Sequence, residues 1–141
     1  MATIFPVYSA YATGDVLTAA QITGQATAIN TIAKITPRTA SGTTDTWVIA
    51  DQDSALIMYS STSAVAVTIP TVATAGWMTG AVVNVLKTGS GTNAISFTGA
   101  SGVTITSAAT VAAVPTIVTQ YKLATFIMTT ANNWVCIGGI A

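Results

Sequence analysis

Ala64-Val65-Ala66-Val67-Thr68-Ile69-Pro70 is the stretch that decides the fold class. Valine or isoleucine stands at every second position, with alanine and threonine between. That is the period of a strand with one buried face. Pro70 cannot donate to a ladder and stops the run. Working outward, short runs of the same kind recur. Ala81 to Leu86 is ended by the hairpin-like turn Lys87-Thr88-Gly89-Ser90-Gly91. Ala94 to Phe97 is followed by the turn Gly99-Ala100-Ser101-Gly102, and Val103 to Thr106 comes next. Tyr121 to Met128 and Trp134 to Ile137 flank Thr129 to Asn133, a hairpin signature. Trp47 to Ala50 and Ala55 to Tyr59 supply two further candidates. Short β-branched runs with turn signals every 8–12 residues or so predict a mainly β domain over residues 47–141. The expected architecture is an antiparallel β-sandwich or a barrel-like (jelly-roll-like) fold.

The chain before this domain has a different pattern. Residues 37–46 (PRTASGTTDT) are small, polar and turn-rich, and predict a linker. Met1 to Thr13 is apolar and aromatic without clear period, and predicts an extended arm. A helix start follows. Thr18 stands three residues before Gln21, a capping-box spacing, and Leu17 and Ile22 occupy the staple positions on either side. Ala19, Ile22, Ala26, Ile29 and Ala33 then recur at intervals of 3, 4, 3 and 4, the seam of a helix packed on another surface. The pattern covers about two heptads and contains Gly24 and several threonines, so alone the helix would be marginal. Thr36 before Pro37 ends it. Residues 1–36 are therefore predicted to be an arm and one short helix for attachment or oligomerisation, with Leu17, Ala19, Ile22, Ala26, Ile29 and Ala33 as the interface.

Composition removes most chemistry. Of 141 residues only eight are charged, four basic and four acidic, with no histidine and no glutamate. An average soluble domain is about one quarter charged. In their place stand 27 threonines and 25 alanines. General acid–base catalysis needs a group that titrates near neutrality, and its usual carriers are missing. Four dispersed bases and zero net charge argue against a surface that tracks phosphates, so no nucleic-acid partner is expected. A membrane span needs about 20 consecutive apolar residues. The charge-free stretches 54–86 and 88–121 are broken throughout by Thr, Ser, Gly, Pro70 and Asn84, so no membrane insertion is expected. Cys136 is the only cysteine, which leaves no disulfide framework and no cysteine-based metal cluster.

A few residues remain as candidates. Asp51 and Asp53 form a D-x-D pair, which can converge on a cation or a sugar but more often polarises a turn. Trp47 and Trp77, with Asp51 and Asp53, would be the contacts of a carbohydrate platform; the competing reading makes the tryptophans core or interface anchors. Cys136 between Val135 and Ile137 reads as a buried structural thiol, since no histidine exists to activate it. No cofactor and no catalytic residue is expected.

Gly14-Asp15-Val16-Leu17-Thr18-Ala19-Ala20-Gln21-Ile22 resembles the G-[DE]-V-L-T-A-A opening near the N-termini of bacteriophage tail-fibre and minor virion proteins. The β-rich part resembles a small module of the same proteins. The resemblance runs through Val67-Thr68-Ile69-Pro70, Gly80-Ala81-Val82-Val83-Asn84-Val85, Gly102-Val103-Thr104-Ile105, and the closing segment Gln120 to Ile127 with Asn133-Trp134-Val135 and Gly138. It implies a non-enzymatic virion protein, typically homotrimeric, on the capsid or tail surface. The chain stops at Ala141, directly after the module, which favours a short capsid decoration or head-fibre protein over a long fibre. Its partners would be itself and the major capsid protein or tail- or portal-proximal virion proteins. The alternative that the resemblance carries is a tail fibre, spike or collar component that binds a host surface glycan.

Overall fold

The computed structural model of the chain describes residues 37–52, 56–107 and 114–140. The chain divides into two units between Ile35 and Thr36. The arm, the helix and its predicted interface residues (Leu17, Ala19, Ile22, Ala26, Ile29, Ala33) lie outside the described residues. The β unit is a sandwich of two sheets, in the class that the strand-like runs predict.

Its wiring follows one rule for most of its length. β1 (Arg38–Ala40), β3 (Leu56–Tyr59) and β5 (Val82–Lys87) lie side by side in a six-stranded sheet. β2 (Thr44–Thr46), β4 (Val65–Ile69) and β6 (Ile95–Gly99) lie side by side in a four-stranded one. Successive strands enter opposite sheets, and each runs parallel to the strand two before it. The alternation continues with β7 (Thr104–Ser107) in the larger sheet and β8 (Thr116–Ile117) in the smaller. β9 (Leu123–Thr130) and β10 (Asn133–Gly138) then form a hairpin that inserts between β5 and β7, antiparallel to β5 and parallel to β7. The sheet orders are β1-β3-β5-β9-β10-β7 and β2-β4-β6-β8.

Four expectations are corrected by the structure. The pairing is mixed rather than antiparallel, with five of the eight strand pairs among the described residues parallel. The glycine-rich turn after Lys87 closes no hairpin, because β5 and β6 belong to different sheets. A turn signal marks where a chain reverses and says nothing about which sheet it enters next. Residues 37–46 are not a linker: they supply β1 and β2, one edge strand for each sheet. Trp47 to Ala50 is also not a strand. Trp47 turns into the core, and Ile49–Asp51 make one 3-10 turn.

The core lies between the sheets and is unusually aromatic. Phe97 on β6 and Phe126 on β9 bring the two sheets together with ring centroids 4.7 Å apart. Trp47 stands edge-on to Phe126 at 5.0 Å and to Trp134 at 6.0 Å. Trp77 continues the chain of rings, edge-on to Trp134 at 5.4 Å. Tilted and edge-to-face pairs of this kind add about 0.5–1.5 kcal/mol each beyond their burial. Between β4 and β5 a single helical turn, α1 (Val72–Ala75), is capped by Thr71, whose hydroxyl accepts the Thr74 N–H, and ends at Gly76 with φ 77°. Asn132, in the tight β9–β10 turn at φ 62°, accepts the Val72 N–H at 2.7 Å and so ties that turn to α1.

The β5–β6 crossover is held by an internal cation. Lys87 is only 2% exposed. Its ammonium donates to the carbonyls of Gly89 at 3.1 Å and Gly91 at 2.7 Å. Gly89 passes so close to the Ser61 backbone that any Cβ there would overlap the Ser61 carbonyl. Gly80 differs: it has φ 91° and open space around it. Gly89→Ala is therefore expected to cost more than Gly80→Ala. A steric insertion into packed backbone costs about 1–3 kcal/mol or more, against about 1 kcal/mol for an alanine at positive φ in open space. Urea denaturation followed by tryptophan fluorescence would check the ordering.

Candidate functional site

Charge is scarce, and among the described residues the fold turns most of it inward. Arg38 on β1 reaches two carboxylates at once. Its Nη1 and Nη2 donate to Asp45 of β2 at 3.1 and 2.9 Å, and its Nε and Nη2 donate to Asp51 of the 3-10 turn at 2.8 and 3.1 Å. The Tyr59 hydroxyl of β3 donates to the second Asp45 oxygen at 2.6 Å and accepts the Trp47 indole N–H at 3.0 Å. Asp51 also accepts the Val48 N–H at 2.9 Å. The result is a clasp running from the half-buried guanidinium to the aromatic core.

The clasp governs its own ionisation. Burial by itself would raise the Asp45 pKa, but the hydrogen bonds from Arg38 and Tyr59 outweigh it and hold the carboxyl below its ordinary value. Burial, then the Asp45 carboxylate, push the Tyr59 phenol well upward. For Arg38, burial is opposed and exceeded by its two aspartates, so the net direction is up. Arg38, Asp45 and Tyr59 thus keep their hydrogen-bonding roles across the neutral range. Cys136, buried with no charged group acting on it, has its thiol pushed up to about 12, which makes it a poor nucleophile.

Trp47, Trp77 and Asp51, three of the residues expected to contact a glycan, present no open platform. Trp47 and Trp77 are buried, with both rings engaged by other aromatics. Stacking on a sugar needs an open ring face, and neither has one. Asp51 is 2% exposed and its oxygens are taken by Arg38 and Val48. Asp53 lies outside the described residues. The reading of the tryptophans as core anchors is the one that matches their burial. Among the described residues, no three His, Cys, Asp or Glu side chains converge as a metal site would require, and no helix is long and apolar enough to cross a membrane.

The features that sequence reading missed are the two outer sheet faces. Strand register sorts the outward residues of the six-stranded sheet into cross-strand rows; the one at the β7–β10 end, Thr104–Asn133–Thr130, is polar throughout, and three others carry the apolar residues. One row is Thr39–Met58–Leu86–Leu123. The next is Leu56–Asn84–Thr125–Ile137, and the third is Val82–Ile127–Val135–Thr106. Eight of these twelve are aliphatic or methionine, and none is charged. The two polar side chains at the centre satisfy each other, the Thr125 hydroxyl donating to Asn84 Oδ1 at 2.9 Å. The outer face of the four-stranded sheet is unlike it. Its rows are Thr44–Ala66–Ser96–Thr116 and Thr46–Thr68–Thr98, small and rich in hydroxyls. The sequence held a signal for this asymmetry. β4 alternates large and small residues, whereas Leu56-Ile57-Met58-Tyr59 and Val82-Val83-Asn84-Val85-Leu86 are apolar in both phases. Near-continuous apolar runs are typical of strands covered on both faces.

No protein-family model, no curated protein and no solved structure matches the chain.

The clasp makes a pH-dependent contribution to stability. Because the folded Asp45 pKa is depressed, that contribution is complete above the ordinary aspartate value of about 3.9 and is lost as pH falls below it. Tyr59→Phe removes a donor to Asp45 and orphans the buried Trp47 N–H. It is expected to cost about 1–3 kcal/mol at neutral pH and to move the acid limb of the stability–pH curve upward. Thermal melts between neutral pH and about pH 3 would check both.

Proposed function

We propose that this chain is a non-enzymatic structural subunit of a bacteriophage particle. It would be a short homotrimeric capsid decoration or head-fibre protein, anchored by its N-terminal region. One observation carries the reading. Of the five charged side chains among the described residues, Arg38, Asp45 and Asp51 are tied into the clasp and Lys87 is buried, which leaves Lys122 as the one exposed charge. A free monomer ordinarily keeps itself dispersed by surface charge. A domain that turns its charges inward and shows aliphatic and threonine-rich faces outward is built to be covered by neighbours. The resemblance of Gly14 to Ile22 to phage virion proteins supplies the class of neighbour: sister subunits, and capsid or tail- or portal-proximal proteins.

Association of this kind depends on apolar burial, at about 25 cal/mol per Å2, and little on ion pairs that salt would screen. The protein is expected to sediment as a trimer both at about 0.15 M and at about 1 M salt. It should also be recovered from purified particles in a copy number divisible by three. Analytical ultracentrifugation and quantitative mass spectrometry of particles would check this. A monodisperse monomer, or absence from the particles, would refute the reading.

A further inference from the structure

We infer that residues 37–46 form a strap that acid lifts as one unit off the edges of both sheets, ahead of the aromatic core. The strap carries β1 and β2 and connects residues 1–35 to the rest of the β unit. Its side chains are all exposed or half-buried, and full burial begins only at Trp47. Ala40 supplies its apolar contact with the core. Its ladders are three residues long on each sheet, β1 on β3 and β2 on β4. Segments with so little buried apolar surface belong to the low-stability end of a fold and open first.

The clasp divides into two parts with different tasks. Arg38 and Asp45 both lie in the strap, and their fork, at 3.1 and 2.9 Å, ties β1 to β2 although the two strands serve opposite sheets. That pairing moves with the strap and makes it one unit. The side-chain bonds that fasten strap to body are the Arg38 donations to Asp51 at 2.8 and 3.1 Å and the Tyr59 donation to Asp45 at 2.6 Å. Each ends on a carboxylate. The titratable groups facing Arg38 and Asp45 are Asp51 from the 3-10 turn and Tyr59 from β3; β4, packed beside β2, brings none among the described residues. Protonating either carboxylate leaves the guanidinium half of its counter-charge. The folded Asp45 carboxyl lies below its ordinary value of about 3.9, so the strap is held above that pH and released as pH falls below it. Release bares the edges of β3 and β4. It also adds residues 37–46 as free chain to the connection with residues 1–35, about 33 Å at full extension.

Hydrogen exchange of the full-length protein, read by mass spectrometry and corrected for the intrinsic effect of pH, tests this. Near-UV circular dichroism of the buried tryptophans reports the core. Between neutral pH and about pH 3, residues 37–46 are expected to lose at least about 10-fold more protection than β6 and β9, with the near-UV spectrum retained. Arg38→Gln should produce the same selective loss at neutral pH. Should that variant fail to fold, Thr39→Cys with Met58→Cys, neighbours in the β1–β3 register, pins the strap instead. Oxidised, the pair should keep residues 37–46 protected in acid; reduced, it should release them as in the wild type. A strap still protected at about pH 3, or one that loses protection only together with β6 and β9, would overturn the inference. So would a folded Arg38→Gln protein with the strap still protected, or acid opening that the disulfide leaves unchanged.

Discussion

The Arg38 clasp is the interaction on which the rest of the β unit depends. Its members come from β1, β2, the 3-10 turn and β3, the first strands of both sheets. β1 and β2 have three residues each and are edges with one neighbour apiece. Three-residue edges have little ladder of their own to hold them. The fork of the guanidinium fixes the spacing between β1 and β2, and Tyr59 carries that constraint to Trp47 at the centre of the aromatic core. A polar network of this kind pins a geometry because each member would be costly to leave unsatisfied. It also withdraws three charges from a surface that has very few.

Once the first strands are placed in opposite sheets, the alternation follows through β8. Each crossover then needs a device that carries the chain over the edge of the sandwich. At β5–β6 that device is Lys87, an internal cation that gathers two loop carbonyls, together with a glycine where no side chain fits. The β9–β10 hairpin is the exception. It enters the larger sheet between β5 and β7, adds Phe126, Met128 and Trp134 to the core, and makes that sheet the wider of the two. The extra width enlarges the apolar outer face.

Much of the β architecture was legible from periodicity. The alternation from Val65 to Ile69, the run after Ala81 and the closing hairpin all fall where the residues place them. Parallel pairing was not legible, because short strands with turn residues between them look alike whether the chain returns to the same sheet or crosses to the other. The stretch 37–46 reads as a linker because β1 and β2 have almost no apolar residues; long-range contacts of Arg38 and Asp45 make them strands, and propensity contains no trace of those. Trp47 and Trp77 illustrate the opposite failure. Their residue type suggests a binding platform, yet a sandwich this small needs large rings to fill its core. The outer apolar face was visible in principle in the two-phase runs of β3 and β5. It became readable only when register gathered distant residues into rows.

The structural subunit reading therefore rests on a difference between surfaces of one domain, and that difference can be measured in the assembled protein. Leu123 and Ile137 lie on the apolar face and are 46% and 48% exposed in the single subunit, while Ile49 and Met78 lie off it at 48% and 56%. Judged by the lone subunit, Leu123, Ile137 and Ile49 should react alike. Hydroxyl-radical footprinting of the assembled protein, read by mass spectrometry, compares them directly. Strong protection of Leu123 and Ile137 beside continued oxidation of Ile49 and Met78 is the expected result. Equal oxidation on and off the face would contradict the claim that this domain is built to be covered.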